Sequence, residues 1–446
     1  MWPEAKRGMT RRRLAGASAG VTLALAACRQ EPSGTAAPRA AAPVTLAHGT
    51  WGDLQTPWGQ YNAHHMATFR QKYPHVTIEY KATPSFGEYH TKLLAQVAAD
   101  TAPDSFAQSN VYYPKYIAIG GALPLEPYLS RAPAFDAGDF IPASLRLSTY
   151  RGKLYGLPHI SSCWVRVWHK ELFRQAGLPS PNDLDQQGRW DWDAFLEAAR
   201  RLTERDASGA AMRLGFGDPG MNFLTVHQWA WQNGANVLRQ PNLSEFVLHA
   251  PEGVEAVQFQ LDLLNRHKAS PLAGEILKDV TSDFHAGRIA MFDSWANFGA
   301  LKFDEFKHGD VVFPARRKAR VTILHTNSLG ISAKTRHPDV AWEWISQLAG
   351  REGDLDQAKF GIGIVLRKSN LKALEEINRR DFGVEHAAVV TEVINTGRTF
   401  DITPVHAEVE AAFNATMAEI RAGKTSVRDG LTMVKGEIDR LLAGSP

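Results

Sequence analysis

Residues 75–108 read HVTIEYKATPSFGEYHTKLLAQVAADTAPDSFAQ, and within this stretch the apolar pattern changes period twice. His75–Tyr80 has the length and β-branched content of a strand. Phe86–Ala99 carries Leu93, Leu94, Val97 and Ala98 on one helical face, with Lys92 and Gln96 outside it, and Asp104–Gln108 returns to a strand. Upstream, Val44–His48 and Pro57–Lys72 supply another strand and another helix. Strand, helix, strand, helix, strand at this spacing predicts parallel βαβ units with right-handed crossovers, and so an α/β fold.

An open parallel sheet places its ligand crevice at the carboxyl ends of its strands. Those ends are Gly49-Thr50-Trp51-Gly52-Asp53 and Ser109-Asn110-Val111-Tyr112. An aromatic ring offers a flat apolar face to a sugar ring, and Asp or Asn offers paired acceptors or donors to neighbouring hydroxyls. Trp51 and Tyr112 read equally well as packing residues on the rim.

The pattern continues downstream. Tyr150-Arg151-Gly152-Lys153-Leu154-Tyr155-Gly156-Leu157-Pro158 reads as a hinge-like segment, followed by a strand at Trp164–Trp168 and a short helix at Lys170–Gln175. Asp191 and Asp193 sit where caps of a helix running to Glu204 belong. Pro251 opens an amphipathic helix to about His267, and Thr281–Ala286 is a short helix. Ile289–Phe292 is a strand emptying into Asp293-Ser294-Trp295. Arg316–Arg320 is a basic surface loop, and Leu329–Ser332 precedes a helix at Pro338–Leu348. Val427, Leu431, Val434, Ile438 and Leu441 make the apolar stripe of a last helix, behind a capping-box-like Ser426 and Asp429.

With 446 residues, 44% hydrophobic and 22% charged, the chain has ample core for two or three domains and lacks the composition of disorder. Thr10-Arg11-Arg12-Arg13-Leu14 precedes an apolar run to Ala27 that is too short to span a bilayer, so residues 1–27 read as a secretory signal. The paired arginines resemble a twin-arginine export signal, and Leu25-Ala26-Ala27-Cys28 resembles a lipobox that marks Cys28 for lipidation. Residues 28–43 then form a lipidated Cys and a flexible Ala/Pro-rich tether. Removal of the leader takes the formal charge from +3 to −1, since it holds five cations against Glu4. A basic nucleic-acid footprint leaves with it.

Cys163 is then alone, without a disulfide partner, and reads as a small buried residue. Gly16-Ala17-Ser18-Ala19-Gly20 has nucleophile-elbow spacing but lies in the leader. Gly423-Lys424-Thr425 ends like a phosphate loop, but Ala418 stands where that motif requires glycine. No His or Cys group has metal-ligand spacing. His64 and His65 are adjacent on a helix, which predicts that they diverge and lie exposed. Neither a metal nor a cofactor is expected.

Eight segments together carry a family resemblance: FRQKYPHVTI (69–78), AADTAPD (98–104), GALPL (121–125), GKLYGLP (152–158), HKELF (169–173), AGL (176–178), FHAGRIAM (284–291) and HPDVAW (337–342). In order and spacing the chain resembles the extracellular solute-binding proteins of bacterial ABC importers, in the sugar-binding group typified by maltose-binding protein. The resemblance implies a two-lobed α/β periplasmic-binding-protein fold with discontinuous lobes joined by a hinge. Lobe one would be residues 44–157 and 327–378, and lobe two residues 158–326 and 379–446.

By the same resemblance, Trp51 and Asp53 match the ligand-contacting loop after the first strand, Ser109 and Asn110 the loop after the third, and Trp295 an aromatic platform. Asn222 or Phe223 falls near another contacting loop, and His406 lies where the family often places an aromatic. Tyr112, Ser162, Asp293 and Asn327 complete the candidate ligand-binding set. Trp168-His169 departs from the Tyr-Asn usual before the Lys-Asp-Leu-Phe pattern. The implied protein is not an enzyme. It is a monomer of the cell envelope, lipid-anchored at Cys28, that passes a carbohydrate to ABC permease subunits. A receptor for a glycerophosphate-type polyol would need a cation in the cleft, with Arg166 the nearby candidate, and an exported glycoside hydrolase would need a carboxylate pair such as Asp53 and Asp293.

Overall fold

The computed structural model describes residues 42–218, 220–272, 275, 279–299, 301 and 308–444. The leader, Cys28 and most of the tether lie outside the described residues. The strands are β1 (Val44–Trp51), β2 (Val76–Thr83), β3 (Ser105–Ser109), β4 (Thr149–Tyr150), β5 (Lys153–Leu154), β6 (Leu157–His169), β7 (Glu204–Arg205), β8 (Ala211–Arg213), β9 (Met291–Trp295), β10 (Gly309–Val312) and β11 (Leu324–Ile331).

β1 pairs in parallel with β2 and with β3, and the helices Pro57–Lys72 and Phe86–Ala98 are the two crossovers. These helices cover opposite faces of the sheet, as parallel sheets require. Trp58, Tyr61 and Phe69 of the first pack with Leu46, Ile78 and the helix Pro338–Leu348. Tyr89, Leu93 and Val97 of the second pack with Phe106 and Tyr116. Thr56 and Ser85 cap the two helices through their side-chain oxygens.

β6 joins this sheet to the rest of the molecule. Its first half pairs antiparallel with β11, which in turn pairs with β3, while β9 and β10 flank the two edges of its second half. Separate cores follow from this split. Val165, Val167, Phe292 and Val311 pack with the helix Ala388–Thr396, Trp190, Trp192 and Phe195 form an aromatic core, and the helices Phe223–Gln232, His406–Arg421 and Val427–Ala443 enclose a third. Asp191 and Ser426 cap their helices as the sequence predicts.

The ladder between β6 and β11 shifts register partway along. Thr326 pairs with Ser161 and Asn327 with His159, so Ile160 is an extra residue in a β-bulge, held at φ +45°. A β-branched residue in the left-handed region is strained, and its amide is held by Gln357 Oε1 at 2.9 Å.

Three expectations are corrected. β1 runs on to Trp51, past His48, because its ladder with β2 persists to Thr83. Asp293 and Trp295 lie within β9 and not beyond a strand end, since pairing with β6 continues through Trp164 and Arg166. His64 is exposed as expected, but His65 is buried and the two do not diverge: both Nε2 atoms approach Asp356 Oδ2, at 3.7 and 3.5 Å. The helix Arg351–Lys359 packs across the first helix and brings that carboxylate between them. Among the described residues no helix is long and apolar enough to cross a membrane.

Candidate functional site

β1 ends in Trp51, and Gly52 turns the chain at φ +77°. A Cβ at this glycine would lie 2.9 Å from Trp58 Cδ1. The bare backbone therefore lets Trp58, at the start of the following helix, stack on Trp51 with centroids 5.5 Å apart. Trp58 is fixed by Nε1 donating to Thr50 Oγ1 at 3.0 Å and stacks in turn on Tyr61. Phe86 meets Trp51 edge to face.

Trp295 of β9, His325 of β11 and Phe400 line the same cleft as Trp51, Trp58 and Phe86. Trp295 lies 5.7 Å from His325 and 5.5 Å from Trp164, and His325 is parallel to Phe400 at 5.8 Å. Val111, Leu224 and Ile362 close the sides, and the bulged Ile160 lines the wall. The cleft has a volume of about 410 Å³. Its polar groups are two hydrogen-bonded pairs: Ser162 Oγ donates to Asn297 Oδ1 at 2.9 Å, and His325 Nε2 donates to Asn327 Oδ1 at 3.0 Å. No Asp, Glu, Lys or Arg is among its described lining residues. Cavities of about 350, 440 and 320 Å³ elsewhere are all lined by charged side chains and by elements around the β1–β2–β3 sheet. The uncharged cleft draws its walls from both sets of strands.

Of the candidate residues, Trp51, Ser162, Trp295 and Asn327 come together there. The other eight have different surroundings. Asp53 is exposed in the turn, its Oδ1 accepting from the Gln55 amide. Ser109 is buried opposite Asn327 in the ladder and accepts from the Val111 amide, and Asn110 is buried beside it. Tyr112 stacks on His90 at 4.6 Å. Asn222 caps its helix in a capping box with Thr225, and Phe223 packs against His406 and Phe413. His406 is buried between Phe223 and Phe400. Asp293 is buried in a bidentate pair with Arg166.

Sequence reading missed Trp58, Phe86, Asn297, His325 and Phe400. Trp58 and Asn297 had a usable signal, being polar or aromatic residues within a few positions of Trp51 and Trp295. His325 sits two residues before Asn327 on the same strand, hence on the same face. Nothing local marks Phe400. The fold also gathers Asp310, Glu385 and His386, which spacing did not suggest. Their contacts are internal: His386 Nδ1 bonds Asp310 Oδ2 at 2.5 Å, and Lys170 pairs with Glu385.

One long strand thus carries two sets of partner strands, and a ligand-sized cleft is lined by residues of both. Residues 53–354 match the family model described as bacterial extracellular solute-binding protein, and the chain belongs to that family. It is 23% identical over 263 residues to an arabinooligosaccharide-binding protein of Bacillus subtilis strain 168, covering 57% of this chain and 54% of that one, so the match spans about half the relative's length. An ABC substrate-binding protein of Listeria monocytogenes, solved in complex with cycloalternan, superposes with TM-score 0.78 at 20% identity, over 90% of this chain and 99% of that one. The sugar-binding protein MalE of Xanthomonas citri gives TM-score 0.73 at 18% identity, over 90% and 97%. The fold is the two-lobed periplasmic-binding fold that these neighbours share.

Proposed function

We propose that this protein is the substrate-binding component of an ABC importer, capturing a sugar or oligosaccharide in the cleft and delivering it to a membrane permease without making or breaking a bond. The observation that carries this reading is the uncharged cleft, lined by Trp51, Trp58, Trp295 and Phe400. Aromatic faces suit the apolar faces of a sugar ring, and the Ser and Asn groups suit its hydroxyls. The Listeria neighbour holding cycloalternan and the Bacillus relative named for arabinooligosaccharides support the same class. The lobes are proposed as residues 44–157 with 327–378 and 158–326 with 379–446, closing on ligand. The chain is proposed to be exported and anchored through Cys28.

A phosphorylated polyol is disfavoured because Arg166 is already committed to Asp293. A glycosidase is disfavoured because Asp293 is held in that pair while Asp53 stands exposed in a turn. The test is thermal unfolding of the purified protein with maltose, cycloalternan, arabinotriose and glycerol 3-phosphate. A ligand at about 100 times its Kd adds roughly 2.7 kcal/mol. A saturable rise with a saccharide recovered intact is expected, and Trp295→Ala abolishes it. A rise with glycerol 3-phosphate alone, or recovery of cleaved sugar, refutes the reading.

A further inference from the structure

We propose that Lys115 and Glu408 form an electrostatic latch beside the cleft, which favours the arrangement in which both lobes meet a ligand and makes capture of an uncharged ligand sensitive to salt. The proposal rests on the lobes closing on ligand and names a pair, outside the cleft, that sets how readily they do so.

Two elements that follow cleft-lining residues bring the pair together. Val111 lines the cleft just after β3, and the next helix, Tyr113–Ala118, carries Lys115. Phe400 lines it too, and the helix His406–Arg421 that follows carries Glu408. Val111 joins the apolar cluster of Phe400, Ile323 and Trp231, and Lys115 Nζ lies 3.4 Å from Glu408 Oε1. The first residue of each contact belongs to the first proposed lobe and its partners to the second.

Among the described residues, Lys115 and Glu408 are the one ion pair that joins the proposed lobes. Arg131–Asp339 and Arg367–Asp139 stay within the first, and Arg166–Asp293 and Arg421–Asp218 within the second. Hydrogen bonds that pass between the lobes, Tyr61 to His159 and Ile160 to Gln357, lie on β6, the strand that both sheets share. A bend about that strand leaves them in reach, whereas a contact between two helices is made only when the lobes approach. Glu410, the next carboxylate on the same helix, lies 4.0 Å from His406 Nε2. Burial, with His227 and Lys115 adding to it, holds that imidazole down to about 4, so at neutral pH Lys115 faces a neutral ring and the Glu408 charge.

Salt separates the latch from the cleft. The described lining of the cleft carries no Asp, Glu, Lys or Arg, so an uncharged sugar gains no ion pair there. A pair formed on closure is screened as the Debye length falls from about 30 Å at 0.01 M salt to about 3 Å at 1 M. With side chains 31% and 50% exposed the pair is modest, and its loss lowers the closed fraction and the apparent affinity by about two- to fivefold.

Calorimetric titration with maltose and arabinotriose from about 0.01 M to about 1 M NaCl tests this. Wild-type affinity is expected to fall about two- to fivefold over the range, while Lys115→Met and Glu408→Gln start weaker by that factor and change little with salt. Exchanging the charges, Lys115→Glu with Glu408→Lys, restores both the affinity and its salt dependence. A wild-type affinity indifferent to salt, or Glu408→Gln matching wild type at every salt concentration, overturns the proposal. A second measurement needs no ligand. Nitroxides on Lys92→Cys and Lys424→Cys, exposed positions on the two proposed lobes, report the distance between them by pulsed electron resonance, Cys163 being buried. Glu408→Lys, which sets two cations together, is expected to shift that distance outward, and the exchanged pair to restore it. An unmoved distance overturns the proposal. If no saccharide binds while the distance responds, the cleft reading falls and the charge contact between the lobes stands.

Discussion

Arg166 and Asp293 face each other across the β6–β9 ladder as a bidentate pair, Nε to Oδ1 at 2.8 Å and Nη2 to Oδ2 at 2.9 Å. Both side chains are buried, Gln228 Nε2 adds a third donor at 2.8 Å, and the guanidinium lies over the rings of Phe195, Phe216 and Trp229. The two charges that sequence reading offered to a ligand are thus spent on each other. Removing one partner leaves the other buried and uncompensated, so Asp293→Ala is expected to cost about 3–5 kcal/mol. Replacing both by Met and Leu recovers most of the loss. Chemical denaturation of the single and double variants measures the difference, and a mild single variant refutes the structural role.

Gly52→Ala tests the ring stack from its backbone side. The substitution forces a Cβ into the left-handed region and against Trp58, for about 1–2 kcal/mol of stability. It also pushes Trp58 off Trp51, so ligand affinity falls along with the midpoint of unfolding. An unchanged affinity in a destabilised variant would mean that the stack contributes nothing to the cleft.

Ile160→Gly is expected to be nearly neutral, although a buried Ile truncated elsewhere costs about 2–5 kcal/mol. Relief of roughly 1–2 kcal/mol of left-handed strain at φ +45° offsets the lost apolar wall and the greater freedom of glycine in the unfolded chain. A loss above about 2 kcal/mol in urea unfolding would show that the bulge carries no strain.

Acid sensitivity follows from buried imidazoles. Burial holds His48 and His90 down to about 3 and His65, His325 and His406 down to about 4, from an ordinary value of 6.5. Between 6.5 and those values the unfolded chain takes up protons that the folded chain refuses. Their stability contribution is complete above 6.5 and is lost as pH falls toward 4. Asp354 acts in the opposite sense: burial raises it to about 6, so its folded form gains a proton in the window from 6 down to 3.8 and partly offsets the loss. The histidines outnumber it, and the unfolding midpoint is expected to drop steadily from pH 6.5 to 4.5. A midpoint flat across that range would show the rings to be accessible to protons.

The β1–β2–β3 unit was legible because strand and helix stretches alternate at short spacing, most plainly where Leu93, Leu94, Val97 and Ala98 line one face of the second crossover helix. The caps at Asp191 and Ser426 were legible because a cap is a bond between residues three apart. The cleft was half legible. Trp51 and Trp295 announce themselves as aromatics close to strand ends, whereas His325 and Phe400 become neighbours only after β11 and the later chain have crossed to the same wall.

Local order in the chain therefore determined the class of the fold, its parallel core, its helix limits and the family to which it belongs, since each depends on periodicity or on motifs a few residues long. Only the tertiary structure decided which polar residues face a ligand. Asp293 lies in sequence beside Trp295, but the long strand β6 brings Arg166 to it and removes its charge from the cleft, while Ser162 of the same strand is presented to the cleft with Asn297. A charge finds its partner through pairing across more than a hundred residues of chain, and no local spacing encodes that meeting.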